Sequence, residues 1–432
     1  MGNLQICLLI LNFSLYSFHI ILPFEKNNPN MDILENLFNN EVKYLLSIGT
    51  PSQYLKANID FSQPSFYISI DEKNSNFKLE KSSTYFNSSK LIDTKYLPFN
   101  KGTLSEESFL FINNDKETLI NNFPFYSAYN QKNNKKFYTA SIGLSKVIDQ
   151  NNFISYLKNK NLIKNEIFTI NYFKHIVNIK IGEINIGDYP HIYNKDFKGK
   201  KMITLKTEKN DIPSDWFVKF DKIKYEDNII DKSLNANFDI NVLGIIGTTS
   251  IQKELNLNFF NEKIQKNHCA VNNFGNDKRF VYYYCNKSAE IEKFKNFSIY
   301  NSKSDYEFSF TYEDLFIKIE DKYYFLIVYD NFNKLQFTLG EVFLKKYQMS
   351  FNLKENSISF YDIYPRKKSN FSFWNLLNII LLVIFIILLI YVIIRLTLRI
   401  ISKRMKSKYL QEINEFFINL EDEPIRDNKI TI

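Results

Sequence analysis

The chain has 432 residues, 45% of them hydrophobic and 24% charged, and carries a net charge of +8. That length allows two domains or one large bilobal one, and the composition is that of a globular protein. The lysines are scattered rather than gathered in a stripe, which argues against a nucleic-acid surface.

Residues 6–18 are mostly apolar after an uncharged start, so residues 1–20 read as a signal peptide without the usual basic beginning. Gly2 does not open a myristoylation site, because Ile6 stands where Ser or Thr is needed. Residues 21–40, polar and turn-rich from 25 onward, read as a linker. Short strand patterns follow at 42–48, ended by Gly49-Thr50-Pro51, then at 65–70, 109–112 and 177–181. Further strand patterns lie at 307–310, 323–328, 335–339 and 357–361. Helical patterns are brief, at 152–160 and 250–257. Many short strands without βα alternation predict a mainly-β domain. The 41 Phe and 28 Tyr fall at strand spacing and are expected in its core.

After a linker at 365–370, residues 371–394 carry no charge and are long enough to cross a bilayer. Trp374 and Tyr391 sit near its two interfaces. Arg395, Arg399, Lys403, Arg404, Lys406 and Lys408 follow, which places 395–432 in the cytoplasm by the positive-inside rule. The expected topology is therefore single-pass type I, with the large domain outside the cell or in a secretory or endolysosomal lumen. Residues 409–423 have an amphipathic look, with acids between apolar positions. With Cys7 removed in the leader, Cys269 and Cys285 form an even pair suited to a disulfide in an oxidising compartment. Two buried free thiols are the alternative. Asn87, Asn286 and Asn296 begin glycosylation sequons. No metal, nucleotide or other cofactor is expected. The histidines His19, His175, His191 and His268 show no ligand or triad spacing, and no Gly-rich phosphate loop exists.

Two aspartates stand in echoing surroundings, Asn58-Ile59-Asp60-Phe61-Ser62 and Asn237-Phe238-Asp239-Ile240-Asn241. Each closes an apolar run, and each is followed downstream by an apolar-Gly pattern, Ile142-Gly143-Leu144 and Leu339-Gly340. The duplication suggests two lobes giving one acid each to a shared cleft. Neighbouring carboxyls cannot both ionise, so one acts as acid and the other as base.

From about residue 41 to 364 the chain resembles the pepsin-like aspartic protease family. Tyr44 to Gln53 resembles the family's opening strand and turn, and Ser82-Ser83-Thr84-Tyr85 its Ser-Ser-Thr-Tyr element. Ser141 to Ser145 resembles its Gly-Ile-Leu-Gly-Leu strand, and Leu339-Gly340-Glu341-Val342-Phe343-Leu344-Lys345-Lys346-Tyr347 its Leu-Gly-x-x-Phe-Leu-Arg-x-Tyr element. Cys269 and Cys285 fall in the second lobe, where relatives usually hold a disulfide. The resemblance implies a mainly-β, bilobal pepsin-like fold with an N-terminal lobe at 41–188, a C-terminal lobe at 189–364 and a C-terminal transmembrane helix. It also implies a catalytic pair, Asp60 and Asp239, under a flap carrying Phe99 and Gly102, with Tyr96 a competing choice for Phe99.

The loops depart from the family's Asp-Thr/Ser-Gly-Thr/Ser. They read Asp60-Phe61-Ser62-Gln63 and Asp239-Ile240-Asn241-Val242. The hydroxyls that lock the lobes, the glycines and the outer hydroxyls are all replaced. Of 11 glycines, six keep family positions: Gly49, Gly102, Gly143, Gly187, Gly247 and Gly340. The expected function is a membrane-tethered, catalytically impaired member that binds a peptide or protein in its cleft. The alternative is an active aspartic endopeptidase working through Asp60 and Asp239. A structural or adhesive surface protein is a third reading.

Overall fold

The structure, a computed structural model, describes residues 19–26, 41–70, 77–92, 98–113, 116–131, 138–147, 152–177, 180–208, 216–274, 279–332, 336–362 and 373–421. Residues 1–18 of the expected leader, 27–40 of the expected linker, the 365–370 linker and Tyr96 lie outside them.

Strands are set by period-two burial: in Val42–Ile48 the residues Val42, Tyr44, Leu46 and Ile48 all point inward. The described strands form a 13-stranded and an 11-stranded sheet. The first sheet opens with β1 Ile20–Lys26, β2 Val42–Ile48, β3 Gln53–Asp60 and β4 Tyr67–Ser69. It continues with β5 Phe86–Leu91, β6 Phe99–Asn113, β7 Lys116–Gln131 and β8 Ala140–Gly143, then β9 Ile167–Val177, β10 Lys180–Ile186 and β11 Met202–Lys206. The second sheet begins with β12 Val218–Tyr225, β13 Asn228–Phe238, β14 Ile245–Gly247, β15 Cys269–Phe274 and β16 Phe280–Asn286. It ends with β17 Phe297–Asn301, β18 Tyr306–Phe310, β19 Phe316–Ile319, β20 Lys322–Phe325, β21 Ile327–Asp330 and β22 Gln336–Leu339. The chain then returns to the first sheet through β23 Ser350–Asn352 and β24 Ser357–Tyr361.

The mainly-β expectation holds, and two boundaries are corrected. The expected linker at 21–40 begins instead as strand β1, which pairs antiparallel with β10 and β2. The residues Ile20, Leu22 and Phe24 are buried, so the apolar run that reads as the end of a leader is partly core. Pro23 hides it, because proline demotes a strand reading. The lobe boundary at residue 188 does not divide the sheets either. β11, β23 and β24, expected with the second lobe, pair into the first sheet, β23 on β9 and β24 on β11.

The aromatic residues fill the core as expected. Phe66 packs edge-on against Phe109 at 5.1 Å, and Phe308 lies 4.9 Å from Tyr347 and from Phe360. Tyr172 and Tyr329 are buried, and burial pushes both phenols well above their ordinary range. Unfolded tyrosine ionises near pH ~10, so above that pH the folded chain holds more protons than the unfolded one. Stability present below pH ~10 is then lost as pH rises through the folded values. The denaturant midpoint is expected to fall between about pH 10 and 12, read by fluorescence.

Cys269 and Cys285, 16 positions apart, sit opposite one another across β15 and β16 and are joined by a disulfide. The free-thiol alternative is thereby removed. Loop entropy assigns such a link about 3 kcal/mol. The Cys269→Ser/Cys285→Ser chain should lose roughly that much in denaturant titration.

Residues 373–421 form a separate unit, one unbroken helix Phe373–Glu421. Within it Leu381–Asn414 is a candidate membrane span by length and composition, its apolar stretch ending at Ile394. The helix does not stop at residue 394 but runs through the expected tail to Glu421.

Candidate active site

Both aspartates sit where a strand ends beside a parallel partner. β3 runs alongside β8, pairing Asn58 with Ser141 and Asp60 with Gly143. β13 runs alongside β22, pairing Phe238 with Leu339, and Asp239 follows directly. Each loop then folds back over the glycine of its partner strand. A Cβ on Gly143 would lie 2.4 Å from the Gln63 carbonyl oxygen, and one on Gly340 would lie 2.1 Å from that of Val242. Only glycine allows this approach, which is why both glycines persist in a glycine-poor chain.

The residues replacing the loop glycines keep the donors. The Ser62 N–H donates to Asp60 Oδ1 at 2.8 Å, and the Ser62 hydroxyl donates to the same oxygen at 2.7 Å. The Asn241 N–H donates to Asp239 Oδ1 at 2.8 Å. Val242, in place of the outer hydroxyl, is buried and apolar, so its side chain offers no donor.

The junction between the loops is rebuilt. Phe61 is buried edge-on against Phe168 at 5.5 Å and Phe351 at 5.2 Å. Trp216 packs 5.1 Å from Phe351 and donates its indole N–H to the Leu144 carbonyl at 2.9 Å. Ile240 is buried as well. Besides the Trp216 bond, a polar tie from the second aspartate loop crosses this junction among the described residues. The Asn241 side chain donates Nδ2–H to the Ile59 carbonyl at 2.8 Å and accepts the Val42 N–H on Oδ1 at 3.1 Å. A symmetric pair of hydroxyls is thus replaced by a single amide anchored in the second loop. As a replacement of the motif glycine, Asn241 is expected to donate in place of missing groups, but its bridge to the other loop is visible only in the structure.

The flap expectation needs correction. β5 and β6 form a hairpin whose connecting residues 93–97 lie outside the described residues. Phe99 and Gly102 belong to its β6 arm. Phe99 is fully buried, edge-on to Tyr67 at 5.3 Å and clustered with Tyr126 and Ala128, so its ring packs in the sheet rather than lying exposed on a flap. A Cβ on Gly102 would come within 2.7 Å of the Phe99 ring, which explains that glycine by packing.

Two tyrosines outside the expected site residues feel the charge of the aspartates. The Tyr138 N–H donates to the Tyr67 hydroxyl at 3.2 Å. Burial first, and then the charges of Asp60, Glu41 and Asp239, push the Tyr138 phenol far up. Burial, with Asp60 adding to it, does the same for Tyr67. Tyr138 therefore brings a protonated hydroxyl within the field of both aspartates. The usable signal was position: Tyr67 follows Asp60 on the next strand, and Tyr138 precedes the Ile142-Gly143 pair. Among the described residues no group of acids, histidines and cysteines is arranged to hold a metal.

Two β lobes, each presenting one aspartate at a strand end folded over a glycine, define the pepsin-like class of aspartic proteins. The chain belongs to the eukaryotic aspartyl protease family, whose model matches residues 44–363. Curated protein sequences gave no match. Among solved structures, the basic 7S globulin from soybean superposes with a TM-score of 0.61 at 14% identity, over 80% of this chain and 95% of that one. Conglutin gamma, a basic 7S globulin from lupine seeds, gives 0.61 at 13% identity with the same coverage. At such identity these likenesses concern the fold alone.

Proposed function

We propose that this chain is a membrane-tethered member of the family that holds a peptide or protein in its cleft and hydrolyses it poorly or not at all. The supporting observation is the one-sided tie at the lobe junction: Asn241 bridges to Ile59 and Val42, while Phe61 and Ile240 contribute only apolar packing. Peptide hydrolysis needs both acids placed to well under ~1 Å around one water. Asp60 accepts a serine hydroxyl as well as an N–H, and an apolar valine side chain follows in the loop after Asp239.

A specific observation favours the alternative of an active endopeptidase. Each carboxylate still accepts the N–H of the residue two positions on. In that reading one carboxylate removes a proton from water while the other protonates the scissile carbonyl oxygen. In either reading the folded domain lies on the lumenal or outer side, and the helix carries the basic run into the cytoplasm.

Peptide retention tests the binding function. The oxidised domain, residues 19–366, is mixed with a random peptide pool, and bound peptides are read by mass spectrometry. Intact peptides should be retained and then lost on Tyr138→Ala. Retention of none from a pool that stays uncleaved would leave only the structural or adhesive reading.

A further inference from the structure

The helix Phe373–Glu421 is continuous through the point where its sequence changes character. The charge-free run ends at Ile394, and six cations follow within 14 positions: Arg395, Arg399, Lys403, Arg404, Lys406 and Lys408. No acid occurs on the helix before Glu412. All six side chains are exposed, as are Leu396, Leu398, Ile400, Ile401 and Met405 between them.

At about 100° per residue, Arg395, Arg399, Lys403 and Lys406 share one face of the helix. The first two are ~6 Å apart along the axis, whereas Arg395 and Lys408 are ~20 Å apart. Surface potential decays over ~8 Å at physiological salt. An upright helix therefore engages mainly Arg395 and Arg399, and the apolar residues interleaved farther along suit a segment that stays near the headgroups.

We propose that this segment binds anionic phospholipid headgroups of the leaflet into which the helix emerges. Charge identifies the partner: a run of cations without acids, joined to a span by unbroken helix, complements a negatively charged leaflet. No residue of the cleft takes part, so the proposal stands apart from the peptide-binding reading.

The full chain is reconstituted in phosphatidylcholine nanodiscs doped with spin-labelled phosphatidylserine or phosphatidylcholine. Electron-spin resonance then measures the protein-restricted fraction of each probe. Nanodiscs admit either orientation, so charge removal cannot act by inverting the topology. The serine probe should be restricted about five-fold more strongly, or ~1 kcal/mol at ~1.4 kcal/mol per tenfold. The preference should shrink in about 0.5 M salt. It should vanish when Arg395, Arg399, Lys403 and Lys406 are changed to Gln, and survive Arg395→Lys/Arg399→Lys. Equal restriction of the two probes, or a preference that survives the Gln changes, would overturn the proposal. Failure of the chain to enter nanodiscs would overturn it together with the span.

Discussion

A chain beginning at residue 27 should fail to fold, while one beginning at residue 19 should unfold cooperatively. β1 sits inside the first sheet, hydrogen-bonded to β10 on one side and β2 on the other. It buries Ile20, Leu22 and Phe24. Phe24 packs edge-on against Tyr172 at 5.3 Å and lies so close to Gly182 that a Cβ there would be 2.4 Å from its ring. Lys26 reaches Glu341 at 3.0 Å, at the start of the helix Glu341–Tyr347. Burying three large apolar side chains is worth roughly 5–9 kcal/mol, comparable to the whole stability of a domain at about 5–15 kcal/mol. Two sheet edges would also lose their partner and invite aggregation. Soluble expression and a denaturant titration check this. Equal midpoints for the two chains would show that β1 is dispensable.

Asn241→Leu should destabilise the domain by about 2–5 kcal/mol, although it replaces one side chain by another of similar size. It strands the Ile59 carbonyl and the Val42 N–H, both at buried positions, and each costs about 1–3 kcal/mol without a partner. Asn241→Gly, which installs the family's own residue, should be destabilising for the same reason. The glycine of relatives works beside hydroxyl residues on both loops, and here Phe61 and Ile240 offer none. A measured loss under ~0.5 kcal/mol for both variants would mean that water satisfies those groups and that the amide does not tie the loops.

Much of this architecture was legible because local rules decided it. An apolar strand pattern marked β2, and an even pair of cysteines marked the disulfide. Gly143 and Gly340 marked the places where the aspartate loops fold back. Other features depend on partners that sequence distance conceals. The tie from Asn241 spans 182 positions to Ile59, and nothing in the sequence around Asn241 names that partner. β1 was masked by its continuity with the apolar run before it and by Pro23. Phe99 was expected at the flap through likeness of motif, but burial is a tertiary property, and the rings of Tyr67 and Tyr126 enclose it. The helix beyond residue 394 looked like a tail because charge ended the apolar run, yet charge does not end a helix rich in Leu, Arg, Lys and Glu.

The most direct test of the account is turnover by the oxidised domain, residues 19–366, on a peptide mixture from about pH 3 to 7. Cleavage products are counted by mass spectrometry beside the Asp60→Ala and Asp239→Ala variants. The account predicts peptide retention with no cleavage above the level of those variants at any pH. Pepstatin-sensitive cleavage that disappears in both variants would contradict it and establish the rebuilt junction as a working catalytic frame.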